Sequence, residues 1–376
     1  MKQLKMKLPM QKLIDSYLGG LINYGIITFK FLNPFKGKIN QKQKTIIVYK
    51  LDAIGDSILC LPMIKHLKEK TNARIIVACS ESNEEMFKHH KFIDKIITFI
   101  SSHFDIADIM IQLYKLRSEK ADLAIDGAQS SNISAIFSWY TAKKAIGFKK
   151  TKGKSRNKVY SEAIELDTNK HMVLDYFDLL KPLNIEPPKN IELIRLYSSG
   201  NTNFDLKDKI VVHPCSVFSY KTWPQERWRK VINYLTKDED VVVIGSKEES
   251  KLVDELLLNL DLNRITNIAG KTNILDLISI INRSKMFIGI DGGPTHISAA
   301  QGIPTISLMG NETSIRYKPF NKNSIALYKP SPCSPCVAAY ADKQLTCEYP
   351  ICLENISAED VIKAIEKLKV PPIKLK

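Results

Sequence analysis

Asp291-Gly-Gly-Pro-Thr-His-Ile-Ser-Ala-Ala-Gln-Gly-Ile-Pro-Thr-Ile-Ser-Leu-Met-Gly310 is the stretch that decides how this chain folds. The apolar run before it, Met286-Phe-Ile-Gly-Ile290, has the unbroken hydrophobicity of a parallel strand buried on both faces. Asp291 and the glycines turn the chain, and Thr295 to Ala300 opens a helix of small residues. After the Gly302-Ile-Pro304 break, a second buried strand is predicted at Thr305-Ile-Ser-Leu-Met309. Strand, glycine turn, helix start and strand together set unpaired N–H groups at the carboxyl end of a sheet. An anion such as a diphosphate binds there. His296 adds a side-chain donor at the same place.

The same alternation runs upstream. Lys209-Ile-Val-Val-His213, Asp240-Val-Val-Val-Ile244 and Arg264-Ile-Thr-Asn-Ile268 read as strands. Gln225 to Leu235, Glu248 to Leu258 and Ile274 to Asn282 read as helices. Asn184 to Phe204 carries Pro187-Pro188 and Ser198-Ser-Gly-Asn201 and reads as a linker. Before it the pattern predicts strands at Thr45–Tyr49, Arg74–Ala78, Lys95–Ile100, Asp122–Asp126 and Lys144–Phe148. Helices are predicted at Asp56–Glu69, Ile106–Arg117, Asn132–Tyr140 and Lys170–Leu183. Strands alternating with helices predict an α/β chain with two doubly wound, Rossmann-like halves. The expected division is an extension over 1–43, a first domain over 44–190, a second over 205–356, and a C-terminal helix and tail over 357–376. Ser357-Ala-Glu-Asp360 has the form of a capping box for that last helix. Two such halves are expected to leave a cleft between carboxyl ends of strands, an arrangement suited to two substrates.

A chain of 376 residues suits two domains, and 44% hydrophobic with 25% charged residues marks it as globular rather than disordered. The net charge of +15 favours anionic partners: nucleic acid, phosphorylated glycans or an acidic membrane surface. Seven cysteines, an odd number, argue against a fully paired disulfide framework, and no cleavable signal is evident, so a reducing, cytoplasmic location is expected. In the extension, Leu13, Ile14, Tyr17, Leu18, Leu21 and Ile22 share one helical face among flanking lysines. Two readings fit: a basic helix lying in a membrane interface, or a helix docked on the protein itself.

The first half has its own glycine turn, Lys50-Leu-Asp-Ala-Ile-Gly-Asp-Ser-Ile-Leu-Cys-Leu-Pro62. Gly55 permits the turn and Asp56 falls at the start of the next helix. Asp56 either caps that helix or accepts a proton from an attacking hydroxyl; Asp52 is a rival base. In the second half, Lys221 lies on the loop after Val211-Val-His213, beside Trp223-Pro224, where it can neutralise a phosphate. Asp238-Glu-Asp240 precedes a strand, the wrong end of a sheet for a metal–diphosphate site. The basic run Lys149-Lys-Thr-Lys-Gly-Lys-Ser-Arg-Asn-Lys158 is either a solvated loop or a grip for anions on an acceptor. Cys333-Ser-Pro-Cys336, Cys347 and Cys352 fit zinc, structural thiols or a labile disulfide. No Gly-x-Gly-x-x-Gly opens either half, which counts against a dehydrogenase. No nucleic-acid-binding motif accompanies the charge, so no nucleic-acid partner is expected. A catalytically silent scaffold sits poorly with the presence of Asp56, Lys221 and His296 together.

These stretches resemble glycosyltransferase family 9, the ADP-heptose–lipopolysaccharide heptosyltransferases. The likeness rests on Lys50 to Pro62, Asp122-Leu-Ala-Ile-Asp-Gly127 with Ile146-Gly-Phe148, His213 to Trp228, and Asp291 to Gly310. His171 with Asp175-Tyr-Phe-Asp-Leu-Leu-Lys-Pro-Leu-Asn-Ile185 matches a further stretch. The resemblance implies a GT-B fold, with acceptor on the first domain and nucleotide sugar on the second. It implies inverting transfer to a lipopolysaccharide core or related anionic glycolipid, with ADP-heptose as donor or, on the same fold, another nucleotide sugar. The basic run at 149–158 and the N-terminal helix together would set the enzyme at the inner face of the cytoplasmic membrane. By the same resemblance Asp56 is the general base and Lys221 contacts the donor phosphates. Asp291, Gly292, Gly293, Thr295 and His296 form the diphosphate turn, and Glu248 holds the nucleotide ribose. The family's turn usually reads Asp-Thr-Gly, so Gly292 removes a hydroxyl contact. Gly55, Asp126, Lys150, Lys152, Lys154 and Arg156 are the acceptor-side candidates. No cofactor and no divalent ion are expected.

Overall fold

The computed structural model describes residues 44–51, 53–99, 106–150, 155–198, 204, 206–216, 218–311, 313–336, 347 and 349–369. The expected N-terminal amphipathic helix, Asp52, Lys152 and Lys154 lie outside the described residues. The chain divides into two compact units, the first ending at Ile191 and the second beginning at Glu192.

The first unit runs β1 (Thr45–Lys50), α1 (Ile54–Thr71), β2 (Arg74–Ser80), β3 (Lys95–Phe99), α2 (Ile106–Ser118), β4 (Ala121–Asp126) and α3 (Asn132–Thr141). It continues through β5 (Ala142–Phe148), α4 (Ser155–Val159), β6 (Glu162–Ile164) and α5 (Met172–Asp178). The strands form one parallel sheet in the order β3-β2-β1-β4-β5-β6. β1 sits mid-sheet because Ile46, Ile47, Val48 and Tyr49 are apolar on both faces, and all four are fully buried. Burying each such aliphatic side chain contributes roughly 1.5–3 kcal/mol. Gly147 on β5 is required by a close approach: a Cβ there would stand 2.3 Å from the Tyr160 ring.

The second unit runs β7 (Ile210–His213), α6 (Gln225–Leu235), β8 (Val241–Val243), α7 (Ser250–Leu257), β9 (Ile265–Asn267), α8 (Ile274–Asn282), β10 (Met286–Ile290) and α9 (Gly293–Gln301). It closes with β11 (Thr305–Met309), α10 (Ser314–Tyr317), β12 (Ser324–Tyr328), α11 (Ile351–Glu354) and α12 (Ala358–Lys369). Its sheet is also parallel, ordered β12-β11-β10-β7-β8-β9. Trp228, Val231, Ile232 and Leu235 recur at helical spacing on α6 and are buried against this sheet, with Val361, Ala364 and Ile365 of α12 in the same core.

Each sheet thus repeats one topology, and the direction of strand succession reverses between β1 and β4 and again between β7 and β10. Ligands bind open α/β sheets at the carboxyl ends of strands beside such a reversal. The glycine turns after β1 and β10 both lie there.

The elements that differ from expectation have local causes. β6 and α4, three and five residues long, are too short to show a period. The helix expected over Lys170–Leu183 is α5 followed by a separate 3-10 turn at Lys181–Leu183, where Pro182 interrupts the amide ladder. α9 starts at Gly293, two residues before the expected Thr295, because Pro294 fits a first helical turn. Among the described residues no helix is long and apolar enough to cross a membrane.

Candidate active site

In the first unit the turn after β1 enters α1 through Ala53, which makes no side-chain cap hydrogen bond. Ser57 closes the turn, its amide and hydroxyl both bonding the Ala53 carbonyl at 3.1 and 2.9 Å. Asn83, fully buried, clamps the same turn, donating to the Lys50 carbonyl at 2.9 Å and to the Ser57 hydroxyl at 2.8 Å. Asp56 is therefore not the helix cap: it is the third residue of α1, half-exposed, in a first turn whose dipole favours a carboxylate. Its Oδ1 receives the Gln129 amide and the Tyr176 hydroxyl, each at 3.3 Å. A half-exposed carboxylate held at the carboxyl end of a sheet can accept a proton.

In the second unit β10 delivers Asp291 to the start of α9. Lys221, on the 3-10 turn Ser219–Lys221, reaches Asp291 Oδ2 at 3.0 Å and the Asp291 carbonyl at 3.3 Å. His296 Nε2 lies 3.9 Å from Asp291 Oδ1. Gly292, the N-cap of α9, makes no side-chain cap bond, so the first amides of that helix present at the same turn as the lysine. The Lys221 loop is anchored behind: buried Trp223 donates its indole N–H to the Ile356 carbonyl at 2.9 Å and packs edge-on against Trp228. At the end of β7, His213 Nε2 stands 3.5 Å from Glu249 Oε2, and among the described residues its buried Nδ1 has no hydrogen-bond partner. Burial raises the Glu249 carboxyl, but His213 and the Ser246 amide and hydroxyl outweigh this and hold it below the ordinary glutamate range. The cluster joins a cation, a histidine and helix-end amides, a chemistry that takes a phosphate-bearing ligand.

Several expected site residues are corrected. Asp126 and Arg156 were expected to touch an acceptor, yet both are fully buried and face each other at 3.1 Å. Tyr160, Ser134 and the Ala128 amide complete the shell around Asp126 at 2.5, 2.7 and 2.9 Å. The pair frames the β4–α3 turn from inside. Lys150 is buried too, with its ammonium 3.5 Å from the Ser130 carbonyl. Gly55 lies buried in the first turn of α1. Thr295 turns its hydroxyl inward to the Ile290 carbonyl at 2.9 Å, tying α9 to β10 rather than facing a ligand. Glu248 is exposed, while its neighbour Glu249 points into the end of the sheet. Ser246 and Glu249 exchange the reciprocal bonds of a capping box, a Ser-x-x-Glu signal that could have found Glu249 in the sequence. Tyr176, Gln129 and His213 carried no such local signal. Among the described residues no group of three His, Cys, Asp or Glu side chains is arranged to hold a metal ion.

The sequence profile of glycosyltransferase family 9 (heptosyltransferase) matches residues 112–345, well over half of the chain. The chain belongs to glycosyltransferase family 9. It is thus a glycosyltransferase. It is 24% identical over 328 residues to a lipooligosaccharide heptosyltransferase 2 of Campylobacter jejuni, covering 85% of this chain and 97% of that one. A lipopolysaccharide heptosyltransferase 3 of Escherichia coli is 32% identical over 162 residues, covering 42% of this chain and 46% of the relative. Among solved structures, a family 9 glycosyltransferase from Veillonella parvula superposes with a TM-score of 0.72 at 21% identity, covering 88% of this chain and 98% of that one. The E. coli ADP-heptose heptosyltransferase II gives a TM-score of 0.68 at 18% identity, over 86% and 98% of the two chains. The shared fold is GT-B, with its two Rossmann-like α/β domains.

Proposed function

We propose that this family 9 enzyme transfers a heptose from ADP-heptose to a lipopolysaccharide core or related anionic glycolipid, with inversion at the anomeric carbon. The observation that carries the reading is the second unit's cluster, in which Lys221, His296 and the amides opening α9 gather at the Asp291 turn. Relatives whose names specify heptosyl transfer supply the donor and acceptor class.

The acceptor hydroxyl attacks the anomeric carbon as the bond to the diphosphate breaks, and the electron pair leaves with the diphosphate. Asp56 takes the hydroxyl proton. Positive charge develops on the sugar ring and negative charge on the leaving group, so fixed donors at the diphosphate lower the barrier. Lys221 supplies an ammonium that it shares with the Asp291 carboxylate, His296 a ring N–H, and α9 the amides of Gly293 and Thr295. These groups stabilise charge on a departing diphosphate, and the proposed reaction is metal-independent. For the nucleotide ribose the proposed acceptor is Glu249 rather than Glu248, supported by its burial beside His213 while Glu248 is exposed. The net charge of +15 supports the proposed peripheral attachment to an anionic membrane, at its cytoplasmic face.

Calorimetric titration with a panel of nucleotide sugars tests the reading. ADP-heptose should bind, ADP alone more weakly, and Lys221→Ala should weaken both by about tenfold or more. Preference for another nucleotide sugar would keep the transferase and replace the donor. Unchanged affinity in Lys221→Ala would remove the phosphate role.

A further inference from the structure

In the stretch from His171 to Ile185, which the resemblance singles out, it is Tyr176 that reaches the site described above. In the structure this stretch builds α5 and the turn after it. His171 is the N-cap, its Nδ1 accepting the Val173 N–H at 3.2 Å. Asp175, fully buried, accepts the Asp167 N–H at 3.1 Å and pairs with Lys170 at 3.4 Å. These two contacts fix where α5 begins and how it is rotated. One residue on, Tyr176 is fully buried, its ring tilted against Phe148 at 6.0 Å with the Lys50 ammonium 5.9 Å from its centroid. Held on both sides, the ring sends its hydroxyl to Asp56 Oδ1. Gln129 reaches that same oxygen from the β4–α3 turn, which is pinned by the Gly127 N–H to the Tyr49 carbonyl at 2.9 Å and by the Asp126 shell.

We propose that Tyr176 and Gln129 are positioning residues for Asp56, two donors from separate elements that converge on one carboxylate oxygen and fix the plane in which the base meets the acceptor hydroxyl. The proposal rests on the assignment of Asp56 as base. An aspartate side chain rotates about two single bonds, and two donors on one oxygen remove most of that freedom. They also stabilise the charged, proton-accepting form. At 3.3 Å both bonds are long, as catalytic hydrogen bonds often are before substrate tightens them. A misplaced base loses rate without losing substrate affinity.

The test uses the full chain and measures kcat, both KM values and the pH–rate profile for Tyr176→Phe, which keeps the ring, and for Gln129→Met, which keeps the shape. Each should lower kcat about tenfold with KM within about twofold, and shift the acid limb of the profile to higher pH. Placed on an Asp56→Ala background, Tyr176→Phe should change the residual rate by less than about twofold, because the group it positions is gone. Wild-type kcat and pH profile in both single variants would overturn the proposal, as would an equal fall with and without Asp56. If Asp56→Ala itself turns over normally, the base assignment fails and takes this inference with it. If Asp56→Ala is inactive while the single variants are wild type, only the inference fails. Thermal melts identify a variant that does not fold, and the other of the pair then carries the result.

Discussion

Asp56 and Asp126 belong to neighbouring strands' ends, since β1 and β4 pair, yet their surroundings give them different work. Asp56 is partly exposed and receives two long hydrogen bonds; Asp126 is sealed in and saturated. The sequence shows both as acidic residues beside a glycine and cannot show burial, which is why Asp126 and Arg156 read as ligand contacts. Arg156→Ala should destabilise the protein by about 3–5 kcal/mol by leaving Asp126 buried without its cation. Chemical denaturation measures this, and a loss under about 1 kcal/mol would show the pair to be solvated. Gly292 gives an opposite case. Its φ of 175° is extended backbone open to any residue, and a Cβ there meets nothing nearer than 3.9 Å. Gly292→Thr should therefore fold normally and tighten ADP-sugar binding, by roughly threefold to tenfold for one added hydroxyl bond. Weaker binding by calorimetry would mean that the turn needs its bare backbone.

Elements with strong periodicity or a distinct start signal were legible: α6, α8, β10 and β11 lie where the apolar pattern puts them. The capping box at Ser357 is present, the Ser357 hydroxyl accepting the Asp360 N–H at 3.1 Å and the Asp360 carboxylate accepting the Ser357 N–H at 2.7 Å. β6 and α10 escape because three and four residues complete no pattern, and β12, as long as β10 and β11, escapes because it is half-buried throughout and lacks their unbroken apolar run. The Asp360 carboxyl illustrates what a cap adds. Burial is the largest single influence and raises it, but Lys329 and the Ser357 hydroxyl and amide together outweigh it and bring the carboxyl from 3.8 down to about 2. A depressed folded-state value contributes stability above the ordinary carboxyl range, and that contribution is lost as pH falls through the folded value. The melting-temperature advantage of the wild type over Asp360→Asn should be full at pH 5 and fade between about pH 4 and 2. A gap that persists unchanged at pH 2 would assign the effect to shape rather than charge.

At the scale of the molecule the doubly wound topology could be read from alternating apolar runs because parallel strands buried on both faces leave a strong signature. The strand order could not, since hydrophobicity says which segments are strands but not which neighbour each one takes. The charge of +15 is the other global property, and it predicts attachment to anionic surfaces. The full chain should sediment with vesicles rich in phosphatidylglycerol at low salt and release as salt approaches about 0.5 M. A chain lacking residues 1–40 loses the expected amphipathic segment with its seven lysines. It should bind these vesicles markedly more weakly and still act on a soluble acceptor fragment; undiminished co-sedimentation of the shortened chain would move the attachment surface elsewhere.

Trp223 hangs from the Ile356 carbonyl, and Arg227 donates to that same carbonyl at 2.7 Å, so the loop that carries Lys221 depends on residues more than a hundred positions downstream. Trimming the tail ahead of Ile356 would also remove the α12 side chains from the core, whereas crowding it with a bulky fusion partner would slacken the loop that carries Lys221 while leaving Lys221, Asp291 and His296 in place. Such a protein would look intact by sequence and fall short at the bench, and a tag is better carried at the other terminus.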